Sequence, residues 1–248
     1  QNAAILHAGL DAVYVAFRVP PVALEDAVRG LAALGAVGAN VTIPHKGAAA
    51  TLCDSLSAEA KVAGAVNTLV FRGGTIAGHL TDGLGMLDAL RDRGVDPAGR
   101  PALVLGAGGS ARAAAAALLA AGAGPVHVLA RRLAAAQGLA ASLAPHGSIE
   151  AVSALPAGPL GVVAHCTPVG ALVELEASPL PADALERMDI VCDFAYRSDG
   201  TPTPLVASGR PAIDGLELLV HQGARAFTLF FERDAPLEAM RLAARADR

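Results

Sequence analysis

The chain has 248 residues, a length that accommodates one large domain or two domains of ordinary size. A hydrophobic fraction of 53% supplies ample material for a core, and the net charge of −4 gives no basic surface for nucleic acid. The cysteines, at positions 53, 166 and 192, are too widely spaced for a zinc or redox motif. We therefore predict a cytoplasmic protein without a metal, a nucleic-acid partner or a membrane-spanning segment.

The first third of the chain mixes short strands with helices. Alternating apolar residues predict strands at 13–17 and 39–43. Apolar residues at helical spacing predict helices over 22–34 and 48–56. Two further apolar runs, within residues 68–78, flank a pair of glycines and predict a hairpin.

From residue 82 onward, strands alternate with helices or loops. A helix is predicted over residues 82–93 and a connector over 97–101. The order beyond the connector is typical of βαβ units with a parallel sheet. The predicted strands are 102–105, 126–130, 149–152, 161–166, 189–194 and 212–213, and the last two predicted helices are 216–231 and 235–246.

A glycine-rich turn follows the apolar strand at 102–105 and opens an alanine-rich helix. A strand, a tight turn and a helix start form the arrangement that brings a dinucleotide pyrophosphate onto a helix N-terminus. Glycine suits such a turn because the backbone must approach the phosphates without a Cβ in the way. The predicted cofactor-binding residues of this turn are Gly106, Ala107, Gly108, Gly109, Ser110 and Ala111.

The next strand indicates which dinucleotide is bound. Sites that prefer NAD usually carry an acidic residue near the end of this strand, and this chain has none between Ser110 and Ile149. Arg131 and Arg132 stand there instead, and the planar guanidinium of arginine binds phosphate oxygens in pairs. The alternative is an ordinary pair of solvated charges. We predict that both arginines contact the 2′-phosphate of NADP.

Polar residues are concentrated at strand ends and turns in residues 40–82, where binding residues are commonly placed. Thr42 and Lys46 follow one predicted strand, Asn67 begins the next, and Asp82 opens the helix that leads onward. Taken singly, Asp82 is explained as a helix cap and Lys46 as a solvated charge. No pair of histidines has the spacing of a metal site.

Together these segments resemble the shikimate dehydrogenase family in order and spacing from Asn2 to about Arg233. The resemblance implies an α/β fold with two domains. These are a mixed-sheet substrate-binding domain of residues 1–82 plus 216–248 and a Rossmann-type NADP-binding domain of residues 83–215. The matching patterns are N-V-T-[IV]-P-x-K at 40–46, G-A-V-N-T at 64–68, G-A-G-G-[SA]-[AS]-R at 106–112, D-x-x-Y at 193–196 and D-G-x-x-M-L-x-x-Q at 214–222.

The resemblance also implies roles for individual residues. Lys46 and Asp82 match the catalytic pair of the family. The positions that match substrate contacts are Thr42, Asn67, Tyr196 and Gln222. Arg131 and Thr167 match contacts to NADP, and Phe194 and Gly215 match positions beside the nicotinamide. The implied reaction is the NADPH-dependent, reversible reduction of 3-dehydroshikimate to shikimate, in aromatic amino-acid biosynthesis. The partner is thus a small-molecule substrate, shikimate or 3-dehydroshikimate. The oligomeric state stays open between monomer and homodimer.

Several departures from the family leave two alternatives open. Leu80 and His165 each replace an asparagine of the family, and Leu218 replaces a methionine. An S-x-S-P segment, whose serines hold the substrate carboxylate in the family, precedes the point where this sequence starts, and we expect the natural protein to carry it. The alternatives are a dehydrogenase for quinate or another polyhydroxy carboxylate, and a homologue that binds NADP without catalysis.

Overall fold

The computed structural model describes residues 1–246; the last two residues of the predicted substrate-binding domain, 247–248, lie outside that range. The strands are β1 (Gly38–Asn40), β2 (Ser55–Leu56), β3 (Thr68–Arg72), β4 (Thr75–His79), β5 (Ala102–Leu105), β6 (Val126–Leu129), β7 (Ile149–Val152), β8 (Leu160–His165), β9 (Met188–Asp193) and β10 (Ala212–Ile213). The helices are α1 (Asn2–His7), α2 (Leu24–Ala33), α3 (Lys46–Ala50), α4 (Ala58–Ala63), α5 (Asp82–Asp92), α6 (Gly109–Ala120), α7 (Leu133–Leu143), α8 (Ala182–Leu185), α9 (Pro204–Ala207), α10 (Gly215–Phe231) and α11 (Leu237–Ala246).

The first sheet is mixed and has the strand order β1-β3-β4-β2. Its centre is the predicted hairpin, in which β3 and β4 pair antiparallel around Gly73 and Gly74, both with positive φ. The helix predicted over residues 48–56 is wrong at its end, because α3 stops at Ala50 and residues 55–56 pair with β4. Asp54 starts that pairing: its N–H donates to Ile76, and its carboxylate accepts the N–H of Ile76.

The strand predicted at residues 13–17 is also wrong. Val13, Val15 and Phe17 are exposed, and in the described chain no strand lies beside this segment to complete a ladder. Tyr14 is held by side chains instead: its N–H and C=O both bond the amide of Asn2. The alternating pattern was correct for an extended backbone, but a strand also requires a neighbour.

The second sheet is parallel throughout, with the strand order β10-β9-β8-β5-β6-β7, as the βαβ rhythm predicts. β5 and β8 are completely buried, as expected for central strands of a sheet covered by helices on both faces. The chain runs outward from β5 to β7 and then returns to β8 on the other side. The carboxyl ends of β5 and β8 therefore form the topological switch point, where open α/β sheets bind ligands.

Two helices connect the sheets. α5 leads from the first sheet to the second and packs against both α6 and α10. Gly85 permits the close approach of α5 and α10, since a Cβ on it would lie 2.5 Å from the backbone nitrogen of Gln222. The far end of α10 returns to the first sheet, where Ala226 and Phe230 pack against Val70. Within residues 1–246, no helix is both long and apolar enough to cross a membrane.

Candidate active site

Lys46 and Asp82 form a close ion pair between two helix starts. Lys46 begins α3 and Asp82 begins α5. The Lys46 Nζ lies 2.5 Å from Asp82 Oδ2, and the two side chains are only 14% and 13% exposed. The Lys46 carbonyl also accepts the N–H of Val66, which fixes the start of α3 against the first sheet. The pair is largely shielded from water, where charge–charge and charge–dipole interactions are strong.

Asn67 holds Asp82 from the other side. Its Nδ2 lies 2.9 Å from Asp82 Oδ1 and 2.9 Å from Thr81 Oγ1. Its Oδ1 accepts the Thr81 N–H at 2.8 Å, and the residue is almost completely buried. Both oxygens of Asp82 thus have donors, one from an ammonium and one from an amide. The carboxylate is fixed before any ligand binds.

The structure brings Gln222 into the same cluster, from α10. Its Oε1 lies 3.3 Å from Asn67 Nδ2, and its amide nitrogen donates to the Leu219 carbonyl. Thr42 is exposed and takes no part in the hydrogen bonds among these side chains of the described chain. Tyr196 is 43% exposed on the segment that follows β9. Of the predicted substrate contacts, Asn67 and Gln222 adjoin the ion pair, while Thr42 and Tyr196 present exposed side chains.

The glycine turn adopts the conformation that its sequence predicts. Gly106 has φ +111°, a value that favours glycine, and a Cβ on it would lie 3.0 Å from the Cys166 carbonyl oxygen. Gly108 is the N-cap of α6 and has open space on its Cβ side. Lys46 Cδ lies 3.6 Å from the position that a Cβ on Gly109 would occupy. The turn and the Lys46–Asp82 pair therefore lie side by side.

The two predicted phosphate-binding arginines lie at the neighbouring strand. β6 pairs with β5, and Arg131 and Arg132 follow its carboxyl end. Both side chains are exposed, and the backbone of Arg132 is the N-cap of α7. Because β5 and β6 are parallel neighbours, Arg131 and Arg132 follow β6 at the same edge of the sheet at which the glycine turn follows β5.

The remaining predicted cofactor contacts follow β8 and β9. Thr167 lies two residues beyond β8 and is half-buried. Phe194 follows β9, and its N–H donates to the His165 carbonyl at 2.9 Å. Gly215 begins α10, where a Cβ would lie 2.5 Å from the Ala195 carbonyl oxygen. Glycine is required there because the helix start meets the segment after β9 at close range.

A buried polar chain behind this edge was missed by the sequence reasoning. His165 and Asp193 are fully buried, and they bond each other, Thr167 and Thr203. In the sequence, His165 stood out only as a departure from the family pattern. Strand register was the missing information, since His165 and Asp193 are paired positions of β8 and β9.

The cysteines are unsuited to nucleophilic chemistry in the folded chain. Burial raises the pKa of Cys192 to about 12, with the Asp193 charge adding to the effect. Burial likewise raises the pKa of Cys166 well above its ordinary value. A thiol needs its thiolate form to act as a nucleophile. Within residues 1–246, no group of three or more histidine, cysteine or carboxylate side chains could hold a metal ion.

Comparison with known proteins identifies the family. Residues 1–69 match the shikimate dehydrogenase substrate binding domain, and residues 215–245 match the shikimate 5′-dehydrogenase C-terminal domain. The shikimate dehydrogenase (NADP(+)) of Symbiobacterium thermophilum is 43% identical, over 99% of this chain and 88% of the relative.

Two solved structures extend the comparison. The shikimate 5-dehydrogenase of Thermus thermophilus, in complex with NADP(H) and shikimate, superposes with a TM-score of 0.87 at 35% identity, over 98% of this chain and 91% of that one. The ligand-free 5-ketofructose reductase of a Gluconobacter species superposes with a TM-score of 0.89 at 32% identity, over 98% of this chain and 90% of that one. With two sheets arranged as in these proteins and 43% identity to a shikimate dehydrogenase along almost its whole length, this chain belongs to the shikimate dehydrogenase family.

Proposed function

We propose that the chain is an NADP-dependent shikimate dehydrogenase, which reversibly reduces 3-dehydroshikimate to shikimate. The observation that carries the proposal is the largely buried Lys46–Asp82 ion pair beside the glycine turn. In this proposal, Lys46 is the proton donor and Asp82 the carboxylate at the point where substrate and cofactor meet. The named activity of the Symbiobacterium relative and the ligands of the Thermus structure support the same reaction.

The residues at the switch point fit NADP. Gly106 and Gly108 add no side chains to the turn, and the N-terminus of α6 follows directly. Arg131 and Arg132 provide cationic groups for a 2′-phosphate at the end of the next strand. When bound, the reduced cofactor supplies a hydride.

Lys46 and Asp82 carry the proton chemistry in this proposal. During reduction, an N–H of the Lys46 ammonium breaks as the new O–H of the alcohol forms, and oxidation reverses the transfer. The ammonium also stabilises the negative charge that develops on the oxygen. Asp82 keeps the ammonium in place and accepts a hydrogen bond from the reacting hydroxyl. Asn67 holds Asp82 in that position through its 2.9 Å bond to Oδ1.

The substrate would be bound by polar side chains around this pair. Shikimate carries several hydroxyl groups and a carboxylate, so its site requires both donors and acceptors. Gln222 offers an amide next to the pair, and Thr42 and Tyr196 offer hydroxyls on exposed segments. These assignments are proposals that rest on the family resemblance and on position.

We also propose the division into domains predicted from the sequence. Residues 1–82 together with 216–248 would form the substrate-binding domain, and 83–215 the NADP-binding domain. The first sheet lies wholly within the former and the second within the latter, and α10 packs back onto the first sheet. A cytoplasmic location and the choice between monomer and homodimer stay predictions of the sequence.

A substrate panel tests the proposal. Purified protein would be assayed for NADPH oxidation with 3-dehydroshikimate and with 5-ketofructose, and for NADP⁺ reduction with shikimate and with quinate. We expect the highest kcat/KM with the shikimate pair. A preference for quinate or 5-ketofructose would assign a different substrate to the same site. NADPH binding without turnover of any of the four would contradict the proposed activity.

A further inference from the structure

A chain of hydrogen bonds runs through the buried interior behind the proposed cofactor site. His165 ends β8 and Asp193 ends β9, and the two are paired positions in neighbouring parallel strands. The His165 Nδ1 lies 2.8 Å from Asp193 Oδ1, and neither residue is exposed. Thr167 Oγ1 lies close to the other ring nitrogen, at 2.5 Å from His165 Nε2.

The Asp193 carboxylate fixes the direction of the hydrogen bonds in this buried series. An ionised carboxylate only accepts, so His165 must carry its proton on Nδ1. Asp193 Oδ1 also accepts the Ala195 N–H at 2.9 Å, and Oδ2 accepts the Thr203 hydroxyl at 2.6 Å. The Thr203 oxygen in turn accepts the Val206 N–H, so its own hydrogen is free to point at Asp193. The charge of Asp193 is thus met by three donors.

The direction continues through the ring to Thr167. A neutral imidazole has a single ring proton, so with that proton on Nδ1 it presents a lone pair at Nε2. The Thr167 hydroxyl then donates its only hydrogen to His165, and its oxygen is left as an acceptor. The Val169 N–H, at 3.4 Å, is a long contact to that oxygen. In the series Asp193–His165–Thr167, the Thr167 hydroxyl therefore donates to His165 Nε2, and His165 Nδ1–H donates to Asp193.

Thr167 lies beside the glycine turn that would hold the cofactor. It is half-buried beyond β8 at the switch point, and its methyl group lies 3.4 Å from the position that a Cβ on Gly106 would occupy. An oxygen that only accepts is repelled by phosphate oxygens, which are acceptors too. It is matched by a ribose hydroxyl or a carboxamide N–H, which are donors.

We propose that His165, together with Asp193, is a positioning residue that makes the Thr167 hydroxyl an acceptor for a donor on the nicotinamide ribosyl half of NADP. This inference rests on the proposed function for its ligand and goes beyond it in assigning His165, Asp193 and Thr203 to cofactor binding. In the alternative, Nε2 is protonated as well as Nδ1, so that the ring is an imidazolium beside Asp193 and the Thr167 hydroxyl donates outward, as a contact to a phosphate would require.

The direction of the hydrogen bonds can be measured without a ligand. In ¹⁵N-histidine-labelled protein, NMR would report the protonation of each ring nitrogen, with His165 assigned from the signals lost in His165→Gln. We expect a protonated Nδ1 and an unprotonated, hydrogen-bonded Nε2. A proton on Nε2 would overturn the proposal. This measurement uses the unaltered chain and is independent of catalysis.

The link to the cofactor is tested by calorimetry with NADPH and with adenosine 2′,5′-bisphosphate, which lacks the nicotinamide ribosyl half. Thr167→Val, a substitution of similar volume at a half-buried position, should weaken NADPH binding about 2- to 12-fold, the range of a net hydrogen bond. Its binding of adenosine 2′,5′-bisphosphate should not change. Thr167→Ser, which keeps the hydroxyl, should restore most of the NADPH affinity.

Two binding results would contradict the inference. An unchanged NADPH affinity in Thr167→Val would show that the hydroxyl contributes nothing, and an equal loss for adenosine 2′,5′-bisphosphate would show a general disturbance of the glycine turn. Failure of the proposed function looks different, because NADPH would still bind with these differences while shikimate is not turned over. A chain that binds neither nucleotide would overturn both proposals.

Discussion

The lysine end and the arginine end of the proposed site differ in how firmly their charged groups are held. Lys46 and Asp82 are about one-seventh exposed, bond each other, and are fixed further by Asn67. Arg131 and Arg132 are exposed at the end of β6. One end is organised before any ligand binds, whereas the other presents charges to water.

The difference matches the two tasks that we propose. Proton transfer requires the donor to be aligned with the reacting atoms, and a preorganised group costs little reorganisation at the moment of reaction. Binding a phosphate requires only that charges can reach it, and the side chains are ordered when the ligand arrives.

Replacing the lysine of the fixed end should have the largest effect. We expect Lys46→Ala to lower kcat by about 10²- to 10⁴-fold, the range for a lost general acid–base group. NADPH affinity should change little, because the glycine turn and both arginines are retained. Steady-state kinetics and calorimetry would measure the two quantities. Lys61→Ala, on the exposed face of α4, is the matched control and should keep normal turnover; equal loss in both variants would remove the special role of Lys46.

At the exposed end, Arg131→Ala should affect the choice of cofactor rather than the chemistry. Loss of a charge-assisted contact to the 2′-phosphate should weaken NADPH binding by about 1.5–3 kcal/mol. NADH lacks that phosphate, so its affinity should stay the same. Arg29→Ala, on the exposed surface of α2, serves as the control. If the unaltered chain binds NADPH and NADH equally well, the assignment of Arg131 fails.

The fixed end should also matter for stability. Asn67→Ala leaves the buried N–H of Thr81 and one oxygen of Asp82 without their partner. We expect the free energy of unfolding to fall by about 1–3 kcal/mol, the usual cost of an unsatisfied buried polar group. Urea denaturation would measure it, with Gln137→Ala on α7 as a control for an exposed amide. If the two variants lose equal stability, the cluster is not organised as described.

The smallest expected effect is that of salt concentration on cofactor affinity, which depends on the exposed arginines. Exposed charges are screened within about 10 Å at 0.1 M salt, whereas largely buried pairs are screened much less. NADPH affinity should therefore fall several-fold more than NADH affinity between low and high ionic strength. Titrations of both cofactors at two salt concentrations would show it. Parallel losses for the two cofactors would indicate that Arg131 and Arg132 do not face the extra phosphate.

The sequence predicted the parallel sheet well because its strands are short, buried and separated by clear turn signals. It failed at residues 13–17, 41–43 and 55–56, where strand formation depends on a partner that local pattern does not reveal. In the site, it named Lys46 and Asp82 through motifs. It did not foresee the contact of His165 with Asp193, which arises only from the register of β8 and β9.

In the proposed reaction, the largely buried Lys46–Asp82 pair performs the proton chemistry of shikimate oxidation. The most direct test is the steady-state rate of NADP⁺ reduction by shikimate for the unaltered chain and for Asp82→Asn, which preserves the shape of the side chain. We expect turnover by the unaltered chain, and a large loss of kcat with unchanged NADP⁺ affinity in the variant. Equal rates in the two proteins, or a folded chain that binds NADP⁺ but does not oxidise shikimate, would contradict it.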